Sequence, residues 1–356
     1  MLVYLFVLTV LFLFAFLKTK PEKLLIDKKG AAVRTSCFFV LIPMTFIYFV
    51  MILKQPTLGD YRQYAIHFLN SVYRPMDQFL NIMEEPAFYV LTKLMTNYTI
   101  STFWYFAVTS AVICISVGVF INRYGDNKKY AIYFYYTIGL FAFTMAGLRQ
   151  SLAMCVCLFA HETIRKRKPL RFLLLVCLAF LFHKSAVFFL PAYLLGKIRW
   201  KTINVIGIVA VYAFISITFN SLYQYIADWL DYSYGIEGTG NGGIFLVILL
   251  IISALAIIYK NKLLLKNPDN LIFINLHFGV LALWFFRMFT RTVERPAFYY
   301  LFSTIILLDK ILDLQADNET EATNQKILVI SSLFLFALFF LYRTARDRNL
   351  IPYIFI

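Results

Sequence analysis

Five short stretches of this 356-residue chain combine residue types that can move a proton or hold an anion. GLRQSL puts Arg149 and Gln150 between two apolar runs with almost no loop. A cation there must pair or face a cavity. LFHKSA puts His183, Lys184 and Ser185 inside a greasy run that extends from Phe172 to Leu195. A histidine near neutrality suits a general base; the plainer alternative is an imidazole bonded to a nearby carbonyl, with Lys184 snorkelling. On one continuous helix His183 and Lys184 would diverge by about 100°, whereas at a turn both could face one cavity. LGDYRQY supplies Asp60, Tyr61 and Tyr64. Asp60 and Tyr64 share a helical face at i, i+4, and Asp60 could equally be a helix cap. MEEPAF supplies Glu84 and Glu85 ahead of Pro86. Acids before a first-turn proline complement a helix dipole; one of them could instead serve as acid, base or sugar ligand. RMFTRTVERPAFYYL supplies Arg287, Arg291, Glu294, Arg295 and Tyr299. If that stretch is helical, the three arginines form one stripe at i, i+4, i+8, and they repel unless an anion or an acid such as Glu294 sits against them.

Other chemistries find little support. His67, His161 and His277 have no ligand-like partners at useful spacing. The thiols of Cys155-x-Cys157 would point about 200° apart on a helix, which is poor for one metal. All five cysteines fall in apolar runs, so no disulfide framework is implied. No phosphate-binding Walker loop, dinucleotide fingerprint or HExxH is present, and no Asp-x-Asp to hold a nucleotide sugar through a metal. No metal site and no cofactor are expected.

The elements that must position these residues follow from composition. The chain is 61% hydrophobic and only 15% charged, where soluble domains carry about 25% charge. The expected fold is an all-α polytopic integral membrane protein: one integral unit over 1–356, with about 11–12 transmembrane or half-membrane helices and a partly helical external segment. Apolar runs mark spans near 1–17, 36–53, 101–121, 130–148, 150–164, 201–220, 243–259, 270–289, 297–312 and 327–342. The first run lacks a basic leader and a small-residue cleavage site, so it reads as a retained helix with its N-terminus outside.

Orientation comes from the loops. The formal charge of +15 would fit nucleic acid if it were one patch, but it is divided among KTKPEKLLIDKKGAAVR, NRYGDNKK, IRKRKPLR, GKIRWK and KNKLLLK. Such loops read as cytoplasmic. Segment 54–100, amphipathic, and loop 221–243, with no Lys or Arg, read as external. Basic clusters then flank 170–196 on both sides. A re-entrant or short-helix hairpin, with His183 to Ser185 at its turn, keeps both clusters inside; one bent helix is the alternative. Phe172 to Phe182 is about 16 Å of helix at 1.5 Å per residue, short of a hydrocarbon core of about 30 Å. Such a turn is tolerated at depth only inside protein or against a wet cavity.

This topology sorts the cations. The inside loops hold mostly Lys. The outside holds mostly Arg: Arg62, Arg74, Arg149, Arg287, Arg291, Arg295, Arg343, Arg346 and Arg348. Arginine is suited to bidentate phosphate recognition, so an arginine-lined external cavity points to a phosphorylated substrate. Head-group anchoring accounts for Arg343, Arg346 and Arg348.

In order along the chain, GDYRQY, EEPAFY, RQSLA, RKRK, FHKSA, ERPAFYY and PYIF resemble the motif series of the EpsG family of Wzy-like exopolysaccharide polymerases. The resemblance spans nearly the whole chain. It implies a glycosyltransferase of the bacterial cytoplasmic (inner) membrane, with its active site facing the periplasm or exterior. Its donor and acceptor would be undecaprenyl-pyrophosphate-linked oligosaccharides, as in exopolysaccharide, capsule or O-antigen assembly. Beyond the bilayer, a chain-length regulator or flippase is an expected partner; nucleic acid is not.

Under that implication the lipid pyrophosphate leaving group would be held by Arg149, Arg287, Arg291, Arg295 and Lys184. The acceptor hydroxyl needs a base: His183 first, Asp60 second, Glu85 third. Tyr61, Tyr64, Glu84, Gln150, Glu294 and Tyr299 would hold sugar. Three rival readings remain: a flippase or transporter of lipid-linked glycan, which should show an inverted repeat; a membrane acyltransferase, whose phosphate-binding cations should face inside; and a ligase using the same chemistry.

Overall fold

The computed structural model describes residues 1–17, 38–57, 59–75, 85–229, 242–347 and 349–356, together with two short strands, Leu25–Ile26 and Ala32–Val33, that pair antiparallel. Glu84, Arg348 and the 230–241 part of the expected outer loop lie outside the described residues. The architecture is all-α. The helices are α1 (Leu2–Ala15), α2 (Phe38–Ile52), α3 (Gly59–Tyr73), α4 (Pro86–Thr96), α5 (Thr102–Tyr124), α6 (Lys128–Thr137), α7 (Leu140–Ala146) and α8 (Leu148–Arg165). They continue as α9 (Pro169–Phe182), a 3-10 turn over Lys184–Phe189, α10 (Ala192–Leu195), α11 (Thr202–Trp229), α12 (Gly243–Lys266), α13 (Asn270–Arg287), a 3-10 turn over Arg291–Val293, α14 (Glu294–Leu312) and α15 (Glu319–Thr344). Among the described residues, five helices are long and apolar enough to cross a membrane: α5, α11, α12, α13 and α15. Large apolar side chains such as Ile206, Phe214 and Ile217 on α11 stand exposed, as lipid-facing residues do.

The chain forms two compact units, the first built from Met1–Leu158, Leu181–His183 and Leu308–Ile356, the second from Phe159–Phe180 and Lys184–Leu307. In the first, α2 packs along α5, and α6 packs against α1, α2 and α15. The centre is aromatic: Tyr4, Tyr133, Tyr135 and Tyr136 are all fully buried. Buried hydroxyls need internal partners, and they have them. Tyr133 donates to the Leu333 carbonyl at 2.6 Å, Tyr136 to that of Tyr4 at 3.1 Å, and Tyr4 to that of Leu350 at 3.1 Å.

The expected span 130–148 is corrected by this unit. It is two short helices, α6 and α7, with breaks at Ile138–Gly139 and at Gly147. Gly139 has φ +109, which other residues rarely adopt. A Cβ there would lie 2.0 Å from Arg343 Nη1. The hydrophobic run is continuous in sequence, but its backbone turns to let the Arg343 guanidinium approach. Arg343 is thus half-buried against a helix break rather than only a head-group anchor; Arg346 stacks over the Tyr342 ring at 4.0 Å.

In the second unit α12 and α13 pack as neighbours. Two of the unassigned histidines link helices here, His277 joining α13 to α12 and α14 and His161 joining α8 to α14. His277 bonds Ser253 and Thr304, each at 3.0 Å, and His161 bonds Ser303 at 3.1 Å. After α9 the chain doubles back: the Phe172 and Tyr193 rings are 5.2 Å apart, and Gly196 closes on Ile164. An apolar groove of about 1310 Å³ lies between α11 and α13, with Val211, Phe219, Leu283 and Phe286 on its walls. The expected loop 221–243 is corrected at its start, since α11 continues to Trp229.

Candidate functional site

The first unit gathers three of the sequence candidates at three helix ends. Glu85 precedes α4, Arg149 lies in the first turn of α8, and His183 follows the last turn of α9. Glu85 is the hub. Arg149 Nη1 donates to its Oε2 at 2.6 Å, and His183 Nδ1 bonds its Oε1.

Local physics explains why each residue needs the others. Arg149 puts a positive charge at the positive end of a helix dipole, an unfavourable placement by about 0.3–1 kcal/mol. A carboxylate beside it reverses the sign. Glu85 gains from the N-terminus of α4, which favours an anion. Its backbone has φ 52 and ψ 54, the left-handed region, costing about 1–2 kcal/mol for a residue with a Cβ. The side chain makes no capping bond to α4; instead the turn delivers the carboxylate to Arg149 and His183. With only 5% of Glu85 exposed, removing either partner would leave a buried charge poorly compensated.

A carboxylate on Nδ1 sets the imidazole tautomer and puts the basic lone pair on Nε2. His183 sits at the negative end of α9, where an imidazolium is favoured. Glu85 and Arg149 sum to zero charge; proton uptake by His183 takes the group to +1. The Arg149 side chain is 38% exposed, while its guanidinium holds Glu85 through Nη1 and bonds Tyr64.

A wall of α3 and α4 aromatics stands beside this triad. Arg149 lies over the Phe88 ring at 6.0 Å. Tyr64 is hydrogen-bonded to Arg149; burial raises its hydroxyl above the ordinary phenol range, while the guanidinium pulls it back. The His67 ring lies 5.9 Å from Phe88 and 5.1 Å from Tyr89. Burial first, then the Arg149 and Arg74 charges, lower its pKa. Lys93 fastens the two helices, donating to the last carbonyls of α3 at Ser71 and Val72.

The remaining candidates fall elsewhere. Gln150 is buried in the first turn of α8. Asp60 is exposed at the start of α3. Tyr61 is buried, donates to the Met51 carbonyl at 3.2 Å and packs on Phe106. Lys184, Arg287, Arg291, Glu294, Arg295 and Tyr299 belong to the second unit. The single arginine stripe expected there does not form. Arg287 ends α13, Arg291 opens a 3-10 turn, and Arg295 is in the first turn of α14, so three elements replace one helix. Arg287 is 6% exposed, 3.4 Å from Glu294 and over the Trp284 ring; it closes on Gly242, where a Cβ would sit 2.6 Å from Nη1. Tyr299 is buried with its hydroxyl 3.1 Å from Ser185. Arg291 is exposed, while Lys184 and Arg295 are half-buried.

Sequence reasoning passed over His67, Lys54 and Asn349. His67 carried a signal: residues 64, 67 and 71 share one helical face. Lys54 and Asn349 carried none, because their partners are about 300 residues away in the chain; Lys54 Nζ donates to the Asn349 carbonyl.

Fold and triad together define a polytopic membrane protein with a buried carboxylate shared between an arginine and a histidine. The chain as a whole supplies the family. Residues 37–355 match the EpsG family, and this protein belongs to it. No curated protein and no solved structure matches the chain.

Proposed function

We propose that this EpsG-family protein is a membrane glycosyltransferase that polymerises undecaprenyl-pyrophosphate-linked oligosaccharide repeat units on the outer face of the bacterial cytoplasmic membrane. The observation that carries the reading is the Glu85 carboxylate held between Arg149 and His183. Glycosyl transfer from a lipid pyrophosphate needs a base on one side of the reacting carbon and positive charge on the other.

The step balances with these residues. His183 Nε2 takes the proton of the acceptor hydroxyl. That oxygen forms a bond to the anomeric carbon of the donor sugar, and the bond from this carbon to the lipid pyrophosphate breaks. The pyrophosphate leaves with the electron pair, and the partly exposed Arg149 side chain supplies the positive charge that neutralises it. Glu85 stabilises the imidazolium and holds Arg149 in place. The triad becomes positive as the leaving group becomes negative, which is when stabilisation lowers the barrier. Tyr64, His67 and Tyr89 form a surface suited to a sugar ring. Arg287, buried on Trp284 and Glu294, is assigned to the fold.

The test is replacement of Glu85 and His183 singly with Ala in the producing strain, with mass spectrometry of the lipid-linked glycans. Loss of long glycan and accumulation of single repeats on outward-facing carrier is the expected result. Normal polymer from both variants would overturn the site. Accumulation on inward-facing carrier would point to a flippase instead.

A further inference from the structure

The first and last motifs of the chain, GDYRQY and PYIF, meet in one structure. Residues 349–356 lie across the junction of α2 and α3. Gln55 donates its backbone N–H to the Ile354 carbonyl at 2.8 Å, Ile356 donates to that of Leu53 at 3.0 Å, and Lys54 bridges to Phe355 in antiparallel register. Tyr353 donates through its hydroxyl to the Val50 carbonyl at 2.9 Å, and Tyr4 to that of Leu350 at 3.1 Å. Lys54, 2% exposed, donates to the Asn349 carbonyl. This is a strap with bonds at both ends and along its length.

The strap ends on the start of α3. The Asp60 N–H is among the first amides of that helix, which lack an intrahelical acceptor. It donates to the Asn349 side-chain oxygen at 3.1 Å, across 289 residues of sequence. The contact is close because Gly59 has no side chain: its φ is +57, and a Cβ would lie 1.8 Å from Asn349 Oδ1. The second and third turns of the same helix carry Tyr64 and His67 to the Arg149 side of the site.

We propose that residues 349–356 are a working part of the candidate site, and that Asn349 is a positioning residue. It caps α3 from a distance and fixes the helix that presents Tyr64 and His67. The functional consequence rests on the glycosyltransferase reading; the cap itself does not. Asn349 itself touches no reacting atom. A small displacement of positioning groups is enough to slow a reaction by about 10–10²-fold.

The experiment uses the full-length protein and three variants, Asn349→Ala, Asn349→Asp and Gly59→Ala, with the double variant Gly59→Ala/Asn349→Ala. Hydrogen exchange over residues 59–62 is measured in detergent, with thermal melting as a control, and glycan length is measured in the producing strain. Asn349→Ala is expected to speed exchange at Asp60 by about tenfold or more and to shorten the glycan. Asn349→Asp keeps an acceptor for the Asp60 N–H and is expected to retain both slow exchange and long glycan. Gly59→Ala is expected to cost less in the Asn349→Ala background than alone, because the collision is gone. Unchanged exchange in Asn349→Ala, or strict additivity of the pair, would overturn the cap. Faster exchange with unchanged glycan, in both Asn349→Ala and Gly59→Ala, would overturn the positioning role. A failed polymerase reading is recognised separately, by normal glycan in the Glu85 and His183 variants.

Discussion

Arg149 and Glu85 stand 64 residues apart in the chain and 2.6 Å apart in space, a guanidinium nitrogen on a carboxylate oxygen. The cation is at the start of α8 and the anion just ahead of α4, so each helix terminus sees the opposite residue's charge as well as its own.

Their coupling is testable. Glu85→Gln keeps the shape but removes the countercharge of Arg149 and leaves one acceptor oxygen where two served Arg149 and His183. A loss of about 10²-fold or more in polymerisation rate is expected, the scale of a positioned acid–base pair. Adding His183→Gln to it is expected to cost little more, because the two act as one unit. Rates that multiply would show that they act independently. Arg149→Lys retains charge without the planar fork and is expected to recover only part of the activity.

His67 should respond to Arg149. Burial is the larger cause of its lowered pKa, and the Arg149 and Arg74 charges add to it. Arg149→Met is therefore expected to move the His67 titration upward, toward the ordinary value of about 6.5, as read by NMR of labelled histidine. The sign for stability follows. With the folded pKa lowered, the unfolded chain binds the proton first, so stability falls as pH drops below about 6.5. A His67→Asn variant is expected to lack that part of the acid sensitivity in melts between pH 5 and 7.5.

Lys54 acts with the same sign in a more alkaline window. Burial lowers its amine from 10.5 to about 8, with Asp347 opposing. Between about 8 and 10.5 the unfolded chain holds a proton that the folded chain has released, so stability rises with pH there. Below about pH 8 both states are charged and the full burial cost is present. Relative to Lys54→Met, the wild type is expected to gain melting temperature from pH 8 to pH 10. A constant difference across that range would contradict the burial of this amine.

Gly139 is expected to tolerate no side chain. Gly139→Ala forces a Cβ into φ +109 and into Arg343 Nη1 at 2.0 Å. Left-handed placement alone costs about 1–2 kcal/mol, and moving a half-buried guanidinium adds to it. Arg343→Ala should restore part of the loss in the double variant, since it removes the collision and leaves the backbone strain. Equal destabilisation with and without Arg343 would place the cost in the backbone alone.

Much of the helical plan was legible because lipid imposes it. Runs at 36–53, 101–121, 243–259 and 327–342 lie in helices α2, α5, α12 and α15, to within a few residues or as the apolar part of a longer helix. Backbone groups in hydrocarbon have to be satisfied within the segment, so a long apolar run has few other solutions. The break at Gly139 was not legible. A glycine in an apolar run is unremarkable until Arg343, some 200 residues later, is known to lie against it. The arginine stripe failed for a related reason: periodicity assumes one helix, and the chain turns between Arg287 and Glu294.

The sequence by itself determined the class of protein, the family and a short set of charged residues whose presence in apolar surroundings demanded an explanation. Residue type carries that much, since burying a charge is costly wherever it happens. Only the tertiary structure decided which groups meet: Glu85 with Arg149 and His183, Asn349 with the first turn of α3, Arg287 with Glu294 and Gly242. Those pairings depend on how helix ends meet after the chain has crossed back and forth. Local spacing holds no information about contacts 64, 98 or 289 residues apart.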